Sequence, residues 1–200
     1  SLAYAVNYPD RVRQLVLRGI FLMRRSEVEW FYQDGCNRLF PDAYADFERL
    51  IPEPERHDMV SAYYKRLTGA DRQIRITAAK AWSRWEGQTL AMQASQGRAQ
   101  AFANEAFALA FARIEAHYFQ HRGFFDSDDY LLENISAARA IPAIAVHGRY
   151  DVVTPLANAW ALKLAFPGLD LRIVSDAGHA MTEPGIVDEL IKATQAFAGL

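Results

Sequence analysis

From Ile141 to the end of the chain, apolar runs alternate with amphipathic stretches, and this alternation restricts the fold more than any other feature. IPAIAVHG reads as a strand at about Ala143 to Val146. Pro155 to Phe166 reads as a helix that starts after a proline and stops at Pro167–Gly168. LDLRIVS is the next strand, and Ile186 to Ala198 is a closing amphipathic helix. Strand–helix–strand–helix order calls for a parallel sheet with helices on both faces, because parallel neighbours need a crossover between them. Near the other end, RQLVLRGIF holds one more short strand, Gln14 to Leu17.

The stretch 27–134 has another character. It is rich in Ala, Arg, Glu and aromatics and poor in β-branched clusters. Helical spacing recurs in Trp82, Trp85 and Glu86, and again in Phe107, Phe111, Ile114 and Glu115. Breaks are expected at Pro41, Pro52, Pro54, Gly69, Gly87 and Gly123. The chain thus divides into a piece of α/β core at 1–26, an all-helical insertion at 27–134, and further α/β core at 135–200. The opening SLAYAVNYPDRV reads as the back half of a helix, with Leu2, Tyr4, Ala5 and Val6 on one face and Pro9 ending it. Such a start suggests a chain cut inside a domain. Three strands are few for a doubly wound sheet, so earlier strands are expected before Ser1 or from another chain.

Composition narrows the classes of partner. The 200 residues carry a formal net charge of −2, which gives no support for a nucleic-acid partner. No apolar run approaches the ~20 residues that cross a bilayer. The lone Cys36, in the polar stretch QDGCNRL, excludes an internal disulfide framework and suits a reducing compartment, so a cytoplasmic location is expected. His57, His117 and His121 lack metal-type spacing with carboxylate or cysteine partners, so neither a metal nor another cofactor is expected.

Two residues stand where chemistry is done. Asp151 ends IPAIAVHGRYD and His179 lies in VSDAGHAMTEP, each just after an apolar strand. Acid then histidine, each following a strand, is the order of the last two members of an α/β-hydrolase triad. No G-x-S-x-G elbow occurs in the sequence. Longer segments narrow the match: LAYA…YPDRV, LVLRGIFL, WFYQDG, LFPDAY, AAKAWSRWEG, FALAFARIEAHYF, IPAIAVHGRYDVVTP and AGHAMTEPG. On these segments the chain resembles the proline iminopeptidases, α/β-hydrolases with a helical cap that release N-terminal proline from peptides.

The resemblance implies a serine nucleophile in a GGSWG segment a few residues before Ser1, and an HGGPG-type oxyanion loop farther upstream. Ser1 itself falls in the helix after the elbow. The 200 residues alone are therefore expected to be inactive. His179 would move the proton between serine and leaving amine, and Asp151 would hold its tautomer. Glu86 and Glu115, on the family's amine-binding positions in the cap, would receive the charged terminal amine of a peptide that begins with proline. Phe21, Phe31 and Tyr32 are candidates for the apolar pocket around the pyrrolidine ring, Tyr32 the weakest of them. Arg18 would help order the acidic site or form a buried ion pair. His147 reads as a packed histidine. Thr154 stands where relatives often have Cys, and Ala180–Met181 where they have Ser–Ala, with no catalytic role expected for either departure. Two other readings stay open: another capped α/β-hydrolase such as an esterase or epoxide hydrolase, and a non-catalytic truncated hydrolase.

Overall fold

A computed structural model describes residues 1–92, 102 and 104–199. The chain forms two compact units: Ser1–Leu22 with Asp126–Leu200, and Met23–Phe125.

In the first unit, helix α1 (Leu2–Asn7) precedes strand β1 (Leu15–Arg18). Leu2, Ala5 and Val6 are buried, whereas Tyr4 is 53% exposed. Tyr4 lies on the opposite side of the helix from Leu2, so the apolar face excludes it. The helical turns Tyr130–Glu133 and Ile135–Ala138 pack against α1, and Tyr130 Oη donates to Asn7 Oδ1 at 3.0 Å. The bounds 27–134 put Tyr130–Glu133 in the helical insertion, because its helical pattern matches that of the segment before it, whereas Ile135–Ala138 lies in the stretch read as core.

Strand β2 (Ala143–Gly148) pairs in parallel with β1, Leu15 opposite Ala143 and Arg18 opposite Val146. It pairs in parallel with β3 (Asp170–Val174) on its other edge, Ile144 opposite Asp170 and Gly148 opposite Val174. Every residue of β2 is buried, as expected of a central parallel strand covered on both faces. Two helices pack on this sheet, Leu156–Ala165 and Pro184–Ala198. Val146 and Val174 point the same way and meet Ala177, Ile186 and Leu190, which seats the last helix on the sheet.

The second unit contains α2 (Arg25–Tyr32), α3 (Pro41–Glu48), α4 (Met59–Thr68), α5 (Arg72–Thr89) and α6 (Glu105–Gln120). Aspartates cap two of them: Asp58 accepts from Ser61 N at 3.0 Å, and Asp71 accepts from Gln73 N at 2.7 Å. Pro41 is the first residue of α3, where its missing N–H costs nothing. Gly87 does not break α5; it lies inside the helix, where an added Cβ would sit 3.2 Å from Phe102. Helix α6 has the expected period but buries a different face. Its buried stripe is Ala108, Ala112 and Ala116, while Phe107 and Ile114 are exposed. Small residues on that stripe let α4 and α5 approach closely. The core is aromatic: Phe47 stacks on Tyr63 at 4.3 Å, and Tyr32 stacks on Trp82 at 4.3 Å.

Candidate functional site

The first unit gathers its chemistry at the C-terminal ends of the three parallel strands, where open α/β sheets bind ligands. Gly148 ends β2, and a Cβ there would lie 2.0 Å from the Gly178 carbonyl oxygen. Only a glycine lets the loop after β3 come so near. Backbone bonds stitch the two loops together: Arg149 N donates to Val174 O at 2.8 Å, and Tyr150 N to Ala177 O at 2.9 Å. Gly178 N donates to Glu183 Oε2 at 2.7 Å, which fixes the turn before His179. Gly148→Ala is expected to cost at least about 1–3 kcal/mol from overpacking and to displace His179. Urea unfolding of the variant checks this, and an unchanged midpoint would contradict it.

Asp151 follows β2 and is 4% exposed. Its Oδ1 accepts from Val153 N at 3.0 Å and Thr154 N at 2.8 Å. Its Oδ2 accepts from Thr154 Oγ1 at 3.0 Å and from His179 Nδ1 at 2.8 Å. Burial pushes the Asp151 pKa up, but the hydrogen bond and charge of His179 outweigh it, with help from His147 and Thr154, and hold the carboxyl below its ordinary value. Arg18, at the end of β1, donates to the His179 carbonyl oxygen and brings a guanidinium N–H 3.3 Å from His179 Nε2. A guanidinium only donates, so Nε2 presents its lone pair and Nδ1 carries the proton toward Asp151. That is the tautomer a general base requires. Gly19, with φ +53°, passes beneath the ring; a Cβ would meet His179 Cε1 at 2.9 Å.

The second unit holds the other candidates. Tyr32 Oη donates to Glu86 Oε1, and Trp82 Nε1 donates to Glu115 Oε2 at 3.0 Å. The stacked Tyr32 and Trp82 rings thus present one donor to each carboxylate. Glu86 is 4% exposed and Glu115 half-buried. Burial first, and then the charge of Glu115, raise the Glu86 pKa well above its ordinary value. Burial raises that of Glu115 to about 7, against the bond from Trp82. Burial, followed by the two carboxylates, also raises the Tyr32 hydroxyl. The side-chain donors to these two neighbouring carboxyls, Tyr32 Oη and Trp82 Nε1, are neutral, and the carboxyls have lone pairs that a cation could engage.

The structure therefore brings Asp151, His179 and Arg18 together in one unit, and Glu86 and Glu115 together in the other. Phe31 is 4% exposed, edge-on to Tyr32 at 4.9 Å and 5.4 Å from Trp85. Phe21 is half-buried in the loop after β1. Three residues make bonds that the sequence reading did not assign to them. Thr154, set aside as a neutral departure, bonds Asp151 through both N and Oγ1, and its Oγ1 lies 3.3 Å from His179 Nδ1. Tyr32, the weakest apolar candidate, is the donor to Glu86. His147 bonds both neighbouring loops. An aspartate followed three residues later by threonine is a turn signal that points to Thr154; nothing local points to the other two. Among the described residues no three His, Cys, Asp or Glu side chains gather to hold a metal ion, and no helix is long and apolar enough to cross a membrane.

A protein from Leptolyngbya boryana named probable proline iminopeptidase is 54% identical over 197 residues, which are 98% of this chain and 61% of that protein. The proline iminopeptidase of Xylella fastidiosa strain Temecula1 is 50% identical over 98% of this chain and 63% of its own length. That of Arabidopsis thaliana is 47% identical over 100% of this chain and 53% of its own. The chain thus spans between about half and two thirds of the length of these curated relatives. The model of the alpha/beta hydrolase fold matches residues 1–185, and with the parallel sheet and the site at its strand ends already described, this chain belongs to the alpha/beta hydrolase family.

Proposed function

We propose that the full-length protein is a serine exopeptidase that releases N-terminal proline from peptides through an acyl-enzyme. The observation that carries this reading is the coexistence, in one chain, of an Asp151–His179 pair in general-base geometry and two neighbouring carboxyls, Glu86 and Glu115, whose pKa values burial raises. The names of the relatives support the same substrate. The helical unit Met23–Phe125 acts as the cap, and the nucleophilic serine belongs to the part of the full-length protein that precedes Ser1.

In this mechanism His179 Nε2 takes the serine hydroxyl proton while the serine oxygen bonds to the prolyl carbonyl carbon. Asp151 accepts the Nδ1 hydrogen bond throughout and stabilises the imidazolium. His179 then returns the proton to the departing amine nitrogen as the C–N bond breaks. Water repeats the sequence on the ester and frees proline. Glu86 and Glu115 accept the two hydrogens of the prolyl ammonium, and that cation balances the charge that burial disfavours in the empty pair. Phe21 and Phe31 offer apolar surface to the pyrrolidine ring, and Arg18 keeps His179 in place. The location we propose is the cytoplasm.

The full-length protein is expected to hydrolyse prolyl-arylamides far faster than simple aryl esters of similar leaving group. Hydrolysis of the esters alone would replace the peptidase with another capped hydrolase. Loss of activity in Glu86→Ala and Glu115→Ala is also expected; full activity in both would remove the amine-binding assignment.

A further inference from the structure

We infer that His147 is a positioning residue for the reaction proposed above, a neutral brace that sets the spacing between the loop after β1 and the loop that carries Asp151. The inference rests on that reading for its substrate but on its own geometry for its role.

His147 lies in β2, where the neighbouring residues are Ala143, Ile144, Ala145 and Val146, and it is 1% exposed. A buried imidazole in such a strand is costly unless both ring nitrogens are bonded. Both are. Ile20 N donates to His147 Nδ1 at 3.2 Å, and His147 Nε2 is 2.8 Å from the Thr154 carbonyl oxygen. A backbone N–H can only donate and a carbonyl can only accept, so Nδ1 holds a lone pair and Nε2 a proton. One neutral tautomer satisfies both ends. Burial lowers the pKa of His147, against the pull of Asp151 and Thr154, while His179 and Arg18 add to the lowering. A second proton would set two N–H groups head to head at Ile20.

Both ends of this brace lead to the chemistry. Ile20 follows Arg18 and Gly19, which touch His179, and precedes Phe21. Thr154 donates to Asp151 through N and Oγ1, and His147 Nε2 itself lies 3.5 Å from Asp151 Oδ2. The ring thus fixes where the Asp151 carboxylate stands relative to the residues beneath His179. An aliphatic side chain would fill the same space with neither bond.

The test compares four forms of the full-length protein: wild type, His147→Gln, His147→Asn and His147→Leu. Glutamine carries its amide one bond farther from the backbone than asparagine, far enough for Nε2 to donate to the Thr154 carbonyl oxygen while Oε1 turns toward Ile20 N. Asparagine reaches Ile20 N but not Thr154 O, and leucine makes neither. For prolyl-arylamide, kcat is expected to fall on the order of 10- to 100-fold in the Leu and Asn variants, the cost of an error in placement of about 1 Å. KM should stay within about twofold, and Gln should recover most of the rate. The downfield proton resonance of the His179–Asp151 hydrogen bond should persist in Gln and broaden or shift in Asn and Leu. A Gln variant as slow as a folded Asn variant overturns the proposal, as does a wild-type kcat and resonance in Asn. If Leu does not fold, the Gln–Asn comparison decides. Should the wild type cleave only esters, the peptidase reading fails, and the same comparison is read on ester hydrolysis and on the resonance.

Discussion

Asp151→Asn in the full-length protein is expected to lower kcat for prolyl-arylamide by about 10⁴-fold, with little change in thermal midpoint. The size follows from which atom the amide must place where. Oδ1 of Asp151 faces two backbone donors, Val153 N and Thr154 N. An asparagine keeps its carbonyl oxygen there and is forced to turn its NH₂ toward His179 Nδ1. That group donates where the carboxylate accepted, so His179 moves its proton to Nε2 and loses the lone pair that Arg18 now faces. The general base is then in the wrong tautomer although hardly an atom has moved. His179→Ala should be no more active. Steady-state kinetics with a matching melting curve checks both, and a loss of less than about tenfold in Asp151→Asn would show that this pair does not drive the reaction.

The second large effect concerns Glu86 and Glu115. Glu115→Gln is expected to lower kcat/KM for prolyl-arylamide by about 10- to 100-fold, the value of one hydrogen bond to a charged group at roughly 1.5–3 kcal/mol. Glu86→Gln should act in the same direction. Stability should move the opposite way. Glu115 titrates at about 7 in the folded protein against an ordinary value of 4.5. Between those two values the folded state binds a proton that the unfolded chain has released. Stability therefore falls as pH rises through that window, and the full penalty is present above about 7. Replacing the carboxyl with an amide removes the penalty, so Glu115→Gln should be more stable at pH ~8 by on the order of 1–3 kcal/mol. The gain should vanish below the unfolded value. A variant that lost activity and was also less stable at alkaline pH would mean that Glu115 is an ordinary structural carboxylate. Loss of function with gain of stability is the mark of a site held against its own folding preference.

The difference between what could be read in the sequence and what could not follows from distance along the chain. Strands β2 and β3 were legible because apolar runs bounded by Gly and Pro mark them locally, and Asp151 and His179 were legible because each follows such a run. The joints were harder. Tyr130–Glu133 has the same helical composition as the insertion before it, and only its packing on α1 sets it with the sheet. The period of α6 was visible but its face was not, since the buried stripe consists of alanines and the bulky Phe107 and Ile114 lie outside. His147 looked like a packed residue because its two bonds reach Ile20 and Thr154, on loops that the sheet brings together. Tyr32 looked like an apolar wall because its partner Glu86 lies 54 positions away. Thr154 stands where relatives often have Cys, and its two bonds to Asp151 put this departure from the pattern inside the constellation.

The most direct test of the central claim is the ratio of kcat/KM for prolyl-arylamide to that for the same compound acetylated on its nitrogen. Acetylation removes the ammonium without touching the scissile bond. Two charge-assisted bonds from Glu86 and Glu115 predict a ratio of about 10²–10⁴ in the wild type, falling toward unity when both are replaced by Gln. Equal rates on the free and acetylated compounds would contradict the account, because the carboxyl pair would then have no part in choosing the substrate.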